Sequence, residues 1–178
     1  MTFRLASIWL CTISVLYGQA HPVRSPRFED YPVAAYAGKV APPDFGNPGQ
    51  YTGTDLRCFS ADPSGYRAEQ PNFAGHFVIG TCTCGSGCHY LFMWDARTGK
   101  VYRDLPFGVL NIGSYVANEN PTPVLYSGEK FRPNSSLLII DACREGTCDC
   151  GVRYYLWTGT AFRMIRKIVS RKPPNCSK

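Results

Sequence analysis

The chain has 178 residues, with 19 Lys and Arg against 13 Asp and Glu, a formal net charge of +6 and 44% hydrophobic residues. A chain of this size builds one domain with an ordinary core, burying roughly 70% of its unfolded surface. The positive balance does not read as DNA or other nucleic-acid binding, because neither a helix-turn-helix nor an aromatic-basic signature accompanies it.

The first twenty residues (1–20) read as an export signal peptide. Arg4 supplies the positive start, residues 5–17 form an apolar stretch too short for a comfortable bilayer span, and Gly18-Gln19-Ala20 has the small-x-small form that signal peptidase cleaves. Cys11 lies inside this leader, and Trp9-Leu10 before it lacks the small residue of a lipid-attachment site. Cleavage after Ala20 yields a periplasmic or secreted chain beginning at His21, with no later stretch apolar enough to be membrane-spanning. Residues 21–50 carry Pro22, Pro26, Pro32, Pro42, Pro43 and Pro48 and read as a Pro/Gly-rich extended arm lying on the domain. Residues 51–178 form a single β-rich domain. Its first stretch, 52–60, has the pattern of one short helix, capped by Thr54 and closed before Pro63.

From there the patterning is β. Residues 73–83 read as a strand with Phe77, Ile79 and Thr81 on one face and His76, Val78 and Cys82 on the other. Gly85-Ser86-Gly87 permits a tight reversal, and residues 88–94 return as an aromatic-rich strand. A turn over Asp95-Ala96-Arg97-Thr98-Gly99 leads to a strand over 100–105, and 106–123 is loop-like, with its glycines, asparagines and prolines. Residues 136–142 form a strongly apolar run, as expected of a central strand covered on both sides. Residues 152–157 and 161–169 form a hairpin around Thr158-Gly159-Thr160; the second run also fits the period of an amphipathic helix. The fold class is all-β: six to eight short antiparallel strands, mainly one sheet, stapled by disulfides.

A cysteine phrase occurs twice, as Gly80-Thr81-Cys82-Thr83-Cys84-Gly85 and Gly146-Thr147-Cys148-Asp149-Cys150-Gly151, each followed by Tyr-Leu, a Trp and Thr-Gly. This makes two related hairpin units. Beyond Cys11 the chain holds Cys58, Cys82, Cys84, Cys88, Cys143, Cys148, Cys150 and Cys176, an even set that suits a disulfide framework in an oxidising compartment. A thiolate metal site at Cys82, Cys84, Cys88 and His89 is disfavoured, because Cys88 and His89 point to opposite faces of a strand. Neighbours two apart on a strand, such as Cys82 and Cys84, have Cα atoms roughly 6.6 Å apart, the limit of a disulfide. Cys88 therefore pairs with Cys82 or Cys84 across the glycine turn, Cys143 with Cys148 or Cys150, and Cys58 and Cys176 tie the chain ends to the remaining thiols.

Pro71-Asn72-Phe73-Ala74-Gly75-His76-Phe77, then Cys84-Gly85-Ser86-Gly87-Cys88, then Asp95-Ala96-Arg97-Thr98-Gly99-Lys100-Val101-Tyr102, resembles the motif series of a family of small exported bacterial proteins. The resemblance covers roughly residues 70 to 168. It implies a bacterial periplasmic or secreted location and an antiparallel β domain, and it implies no activity. Cys82, Cys143, Cys148 and Cys150 are additions to the family pattern.

The candidates for chemistry are few. His76 follows a glycine at the start of a strand, where Asp95 or Asp141 could orient it for a catalytic or ligand role. No serine sits in a nucleophile-elbow frame, and no cofactor fingerprint is present. His21, as a mature N-terminus, could chelate copper with a second histidine such as His76. Tyr90, Phe92 and Trp94 alternate onto one strand face and form either core or an exposed binding stripe, and Arg163, Arg166 and Lys167 add a basic surface. The basic C-terminal end is either a solvated tail or a contact for an anionic surface or acidic partner. The balance favours a non-enzymatic binding module, of an inhibitor, immunity or envelope-accessory type, that recognises a protein or cell-envelope component. The competing readings are an envelope hydrolase or metal-dependent enzyme centred on His76, and a copper-binding protein using His21.

Overall fold

A computed structural model describes residues 24–46, 70–85, 88–111, 113–117, 120–126, 128–144, 147 and 149–169. The leader, His21, the helix expected over 52–60, Cys58, Cys148, Cys176 and the basic tail lie outside the described residues, as do the side chains of Cys84 and His89.

Ten strands are described: β1 (Phe77–Gly85), β2 (Cys88–Asp95), β3 (Val101–Tyr102), β4 (Val109–Asn111), β5 (Gly113–Ala117), β6 (Asn120–Tyr126), β7 (Gly128–Lys130), β8 (Leu137–Arg144), β9 (Cys150–Trp157) and β10 (Phe162–Val169). Eight of them build one antiparallel sheet in the order β1-β2-β4-β8-β9-β10, with β3 added beside β2 and β7 beside β8. β5 and β6 form a separate two-stranded ribbon. The protein is thus all-β and antiparallel. The segment 106–123, read as loop, instead supplies β4, β5 and much of β6. Pro121 and Pro123 are tolerated there because each strand of a two-stranded ribbon has a free edge that needs no donor.

Two antiparallel meanders carry the sheet, β1-β2-β3 and β8-β9-β10, and β4 joins them by pairing with β2 on one side and β8 on the other. Cys88 and Cys150 both open the second strand of their hairpins, β2 and β9, but Cys82 faces Tyr90 across β1-β2 whereas Cys143 faces Cys150 across β8-β9. The repeated cysteine phrases themselves are out of register. Cys143 and Cys150 stand directly opposite one another across β8-β9 and form a disulfide with Cα atoms 3.9 Å apart. Cys82 and Cys88 each take part in a disulfide as well.

β8 is the central strand, largely buried along both faces as its Leu137–Ile140 run requires. The final run is strand β10, not helix, because β9 offers it a complete ladder. The period-2 pattern of β1 and β2 separates two cores. Phe77, Ile79, Leu91 and Met93 point into the main core with Leu138, Ile140, Tyr155 and Trp157. Val78, Phe92 and Trp94 point to the opposite face, where Phe45 and Val40 of the arm cover them. Of the two readings of Tyr90, Phe92 and Trp94, core holds and the exposed binding stripe does not. Phe92 and Trp94 are wholly buried, and half-buried Tyr90 donates its hydroxyl to the Arg103 carbonyl at 2.9 Å.

Apart from a 3-10 turn at Phe28–Asp30, residues 24–46 form no helix and no strand, only single bridges to the sheet. The Arg24 carbonyl accepts from Arg166 on β10, and the Tyr31 carbonyl accepts from the Ser136 amide. The Tyr36 and Ala41 amides then donate to the carbonyls of Gly75 and Ala96.

Candidate functional site

Strand β1 begins at Phe77 rather than Phe73, because Ala74, Gly75 and His76 make a tight loop between them. Phe73 and Phe77 exchange both backbone hydrogen bonds, at 3.0 and 2.9 Å, and Ala74 and Gly75 both have positive φ. A side chain at Gly75 would place a Cβ 2.5 Å from the Ala34 carbonyl oxygen, so only glycine fits where the arm crosses. The loop fixes His76 at the edge of the main core. Its imidazole packs on the Phe77 ring at 4.2 Å, and its carbonyl accepts from the Ala96 amide at 2.8 Å.

That last bond brings the two turns together and sets His76 Nε2 3.7 Å from Asp95 Oδ2. Asp95 is in turn held by Arg97, whose amide and Nε donate to Oδ1 and whose Nη2 donates to Oδ2 at 2.9 Å. Burial opposes ionisation of Asp95, but these hydrogen bonds and the neighbouring positive charges outweigh it and keep the carboxyl below its ordinary range. At His76 burial dominates, and with the Arg97 charge it lowers the imidazole below its ordinary value against the attraction of Asp95. The site at neutral pH is thus a neutral imidazole beside a fixed carboxylate.

His76 and Asp95 line a cleft of about 470 Å³ with Arg97, Tyr102, Ser136 and Trp157, rimmed by the arm at Val33–Ala34 and by the Thr158-Gly159 turn. Two buried nitrogens in its walls lack hydrogen-bond partners: His76 Nε2, too far from Asp95 for a bond, and the indole donor Trp157 Nε1. Leaving such a group unsatisfied costs about 1–3 kcal/mol each. Two hydroxyls of the lining are engaged elsewhere: Ser136 Oγ points to the Tyr31 carbonyl at 3.5 Å, and Thr158 Oγ1 donates to the Ala161 carbonyl at 2.9 Å. Neither is presented to the imidazole as a nucleophile.

Of the two orienters considered for His76, the fold selects Asp95. Asp141 lies in mid-β8, opposite Val152 and Gly128, and takes no part in the cleft. Arg163, Arg166 and Lys167 lie on β10, at the far edge of the sheet from β1 and remote from the covered face of Tyr90, Phe92 and Trp94. They do not form one free basic patch, since Arg166 donates to Arg24 and Lys167 pairs with Asp149 at 2.6 Å. Trp157 and Arg97 were not anticipated. The Asp-x-Arg spacing inside a turn is a readable signal for Arg97, whereas nothing in the sequence marks Trp157 as carrying an unpaired indole. Among the described residues no three His, Cys, Asp or Glu side chains converge to hold a metal ion, and no helix is long and apolar enough to cross a membrane. No family model, curated protein or solved structure matches the chain.

Proposed function

We propose that this chain is an exported, disulfide-stapled binding module that recognises a protein or cell-envelope partner through the His76 cleft. The observation that carries this reading is the pair of unsatisfied buried nitrogens, His76 Nε2 and Trp157 Nε1, on residues that line one cleft. An acceptor oxygen from a partner would satisfy the indole, and the imidazole in its Nε2–H tautomer, once the rim shifts by a side-chain adjustment. The oxidised cysteines and the export leader support a location outside the cytoplasm. Engaged hydroxyls and a neutral, carboxylate-anchored imidazole support recognition over nucleophilic attack.

The test is calorimetric titration with two probes, an N-acetylated alanine-aspartate tetrapeptide and a disaccharide-peptide fragment of bacterial cell wall. One probe class binds the wild type, and Trp157→Phe, which keeps the ring and removes the N–H, weakens it roughly tenfold. Equal affinity in Trp157→Phe and His76→Gln, or no binding of either probe to the wild type, overturns the proposal. The enzyme reading draws on one observation, the 3.7 Å approach of Asp95 to His76. His76→Ala separates the two readings: turnover lost with binding retained favours the enzyme. The copper reading rests on His21, outside the described residues.

A further inference from the structure

A second hollow, independent of the His76 cleft, lies between the turn at Pro106–Gly108 and strands β8, β9 and β10. It has a volume of about 270 Å³, and Leu110, Ile140 and Phe162 contribute to an apolar floor. Four charged side chains face it: Arg144, Asp149, Arg153 and Lys167. The carboxylate is already committed on both oxygens, Oδ2 to Arg153 Nη2 at 3.0 Å and Oδ1 to Lys167 Nζ at 2.6 Å. Those bonds hold the Asp149 carboxyl below its ordinary range, so it is ionised and spent.

Arg153 is buried and largely committed, since besides the Asp149 carboxylate its two terminal nitrogens donate to the carbonyls of Ala142, Gly151 and Asp149. Arg144 is different. It is exposed beside the Gly108 turn, and among the described residues its guanidinium meets no acceptor. Among the described residues lining the hollow, three cations face one carboxylate, an excess of two positive charges over an apolar floor. Burial keeps the Tyr155 phenol, which also lines the hollow, protonated and neutral, so no other described lining residue offsets the excess.

We infer that this hollow is a binding site for an oxyanion, carboxylate or phosphate, carried on a short apolar body. The head group bridges Arg144 and Lys167, for which a planar guanidinium and a mobile ammonium are suited, while the body rests on the floor. The volume admits a head and a few carbons within the hollow, and a longer chain extends past the rim.

The test titrates the full exported chain with inorganic phosphate and with hexyl phosphate. Hexyl phosphate binds and inorganic phosphate binds at least roughly tenfold more weakly; Arg144→Gln, on an exposed side chain, costs roughly tenfold in hexyl phosphate affinity while leaving the unfolding transition in place. Lys167→Gln weakens binding as well, and Lys39→Gln, which lines no part of the hollow, does not. Absence of hexyl phosphate binding, wild-type affinity in Arg144→Gln, or equal affinity for the two phosphates overturns the inference. Co-sedimentation with phosphatidylglycerol vesicles separates a lipid headgroup from a free amphiphile as the source, and either source meets the claim.

Discussion

Desolvation decides the charge of His76. The attraction of Asp95 would raise the imidazole, but burial, helped by the Arg97 charge, lowers it below the ordinary value of 6.5. Since the folded value is the lower one, the unfolded chain takes up this proton first. Stability from the group is complete above pH 6.5 and falls away as the pH drops below it. Asp95 behaves in the carboxylate sense: its stabilisation is present above the ordinary value of 3.8 and is lost as pH falls through its lower folded value. An NMR titration of the His76 ring should therefore give a midpoint below 6.5, and Arg97→Gln should move it upward by removing the repulsion while Asp95 stays ionised. A midpoint above 6.5 in the wild type would contradict this balance. At this scale the sequence pointed to His76 and Asp95 together, because a histidine after a turn glycine and an acid opening a turn are visible in the chain. Trp157 was not visible. Its indole counts toward the apolar core, and whether a buried N–H finds a partner is settled only by tertiary contacts.

Strands with strict alternation or a strongly apolar run were legible as elements. β1, β2, β8 and β9 lie where their patterns place them, within a few residues at their ends, whereas the run of β10 fits a helix period as well and is a strand through its ladder with β9. The failures are instructive in physical terms. β4 is three residues long and owes its form to two neighbours, β2 and β8, rather than to its own pattern. β6 contains prolines that suppress a strand assignment anywhere except at a free edge. Gly80 also reverses the usual reading of a glycine inside a strand. It stands opposite Phe92 in the ladder, and a Cβ there would fall 2.4 Å from the Phe92 Cζ. The glycine leaves the space into which the fully buried Phe92 ring folds across β1. Gly80→Ala, which ordinarily favours a strand, is expected to destabilise this protein by about 1–3 kcal/mol through overpacking, measured by urea unfolding.

The arm belongs to the architecture of the whole molecule. Its composition announces an extended segment, but not what that segment covers. In the fold it starts against β10, forms part of the rim of the His76 cleft at Val33 and Ala34, and ends by laying Phe45 edge-on to Phe92 at 5.9 Å. One segment thus closes the second core and shapes the cleft, so the two properties are coupled. Phe45→Ala should cost about 3 kcal/mol in unfolding free energy and shift the emission of buried Trp94 to the red. If the arm were an unattached leader, neither change would occur.

The cleft itself is tested most directly by the indole N–H signal of Trp157 in a two-dimensional NMR titration, assigned by its loss in Trp157→Phe. As the cell-wall fragment or acidic tetrapeptide saturates the protein, this signal should move downfield together with the His76 ring resonances, as both groups gain an acceptor. Saturable binding that leaves both signals in place would contradict the account, and recognition would have to be sought on another face.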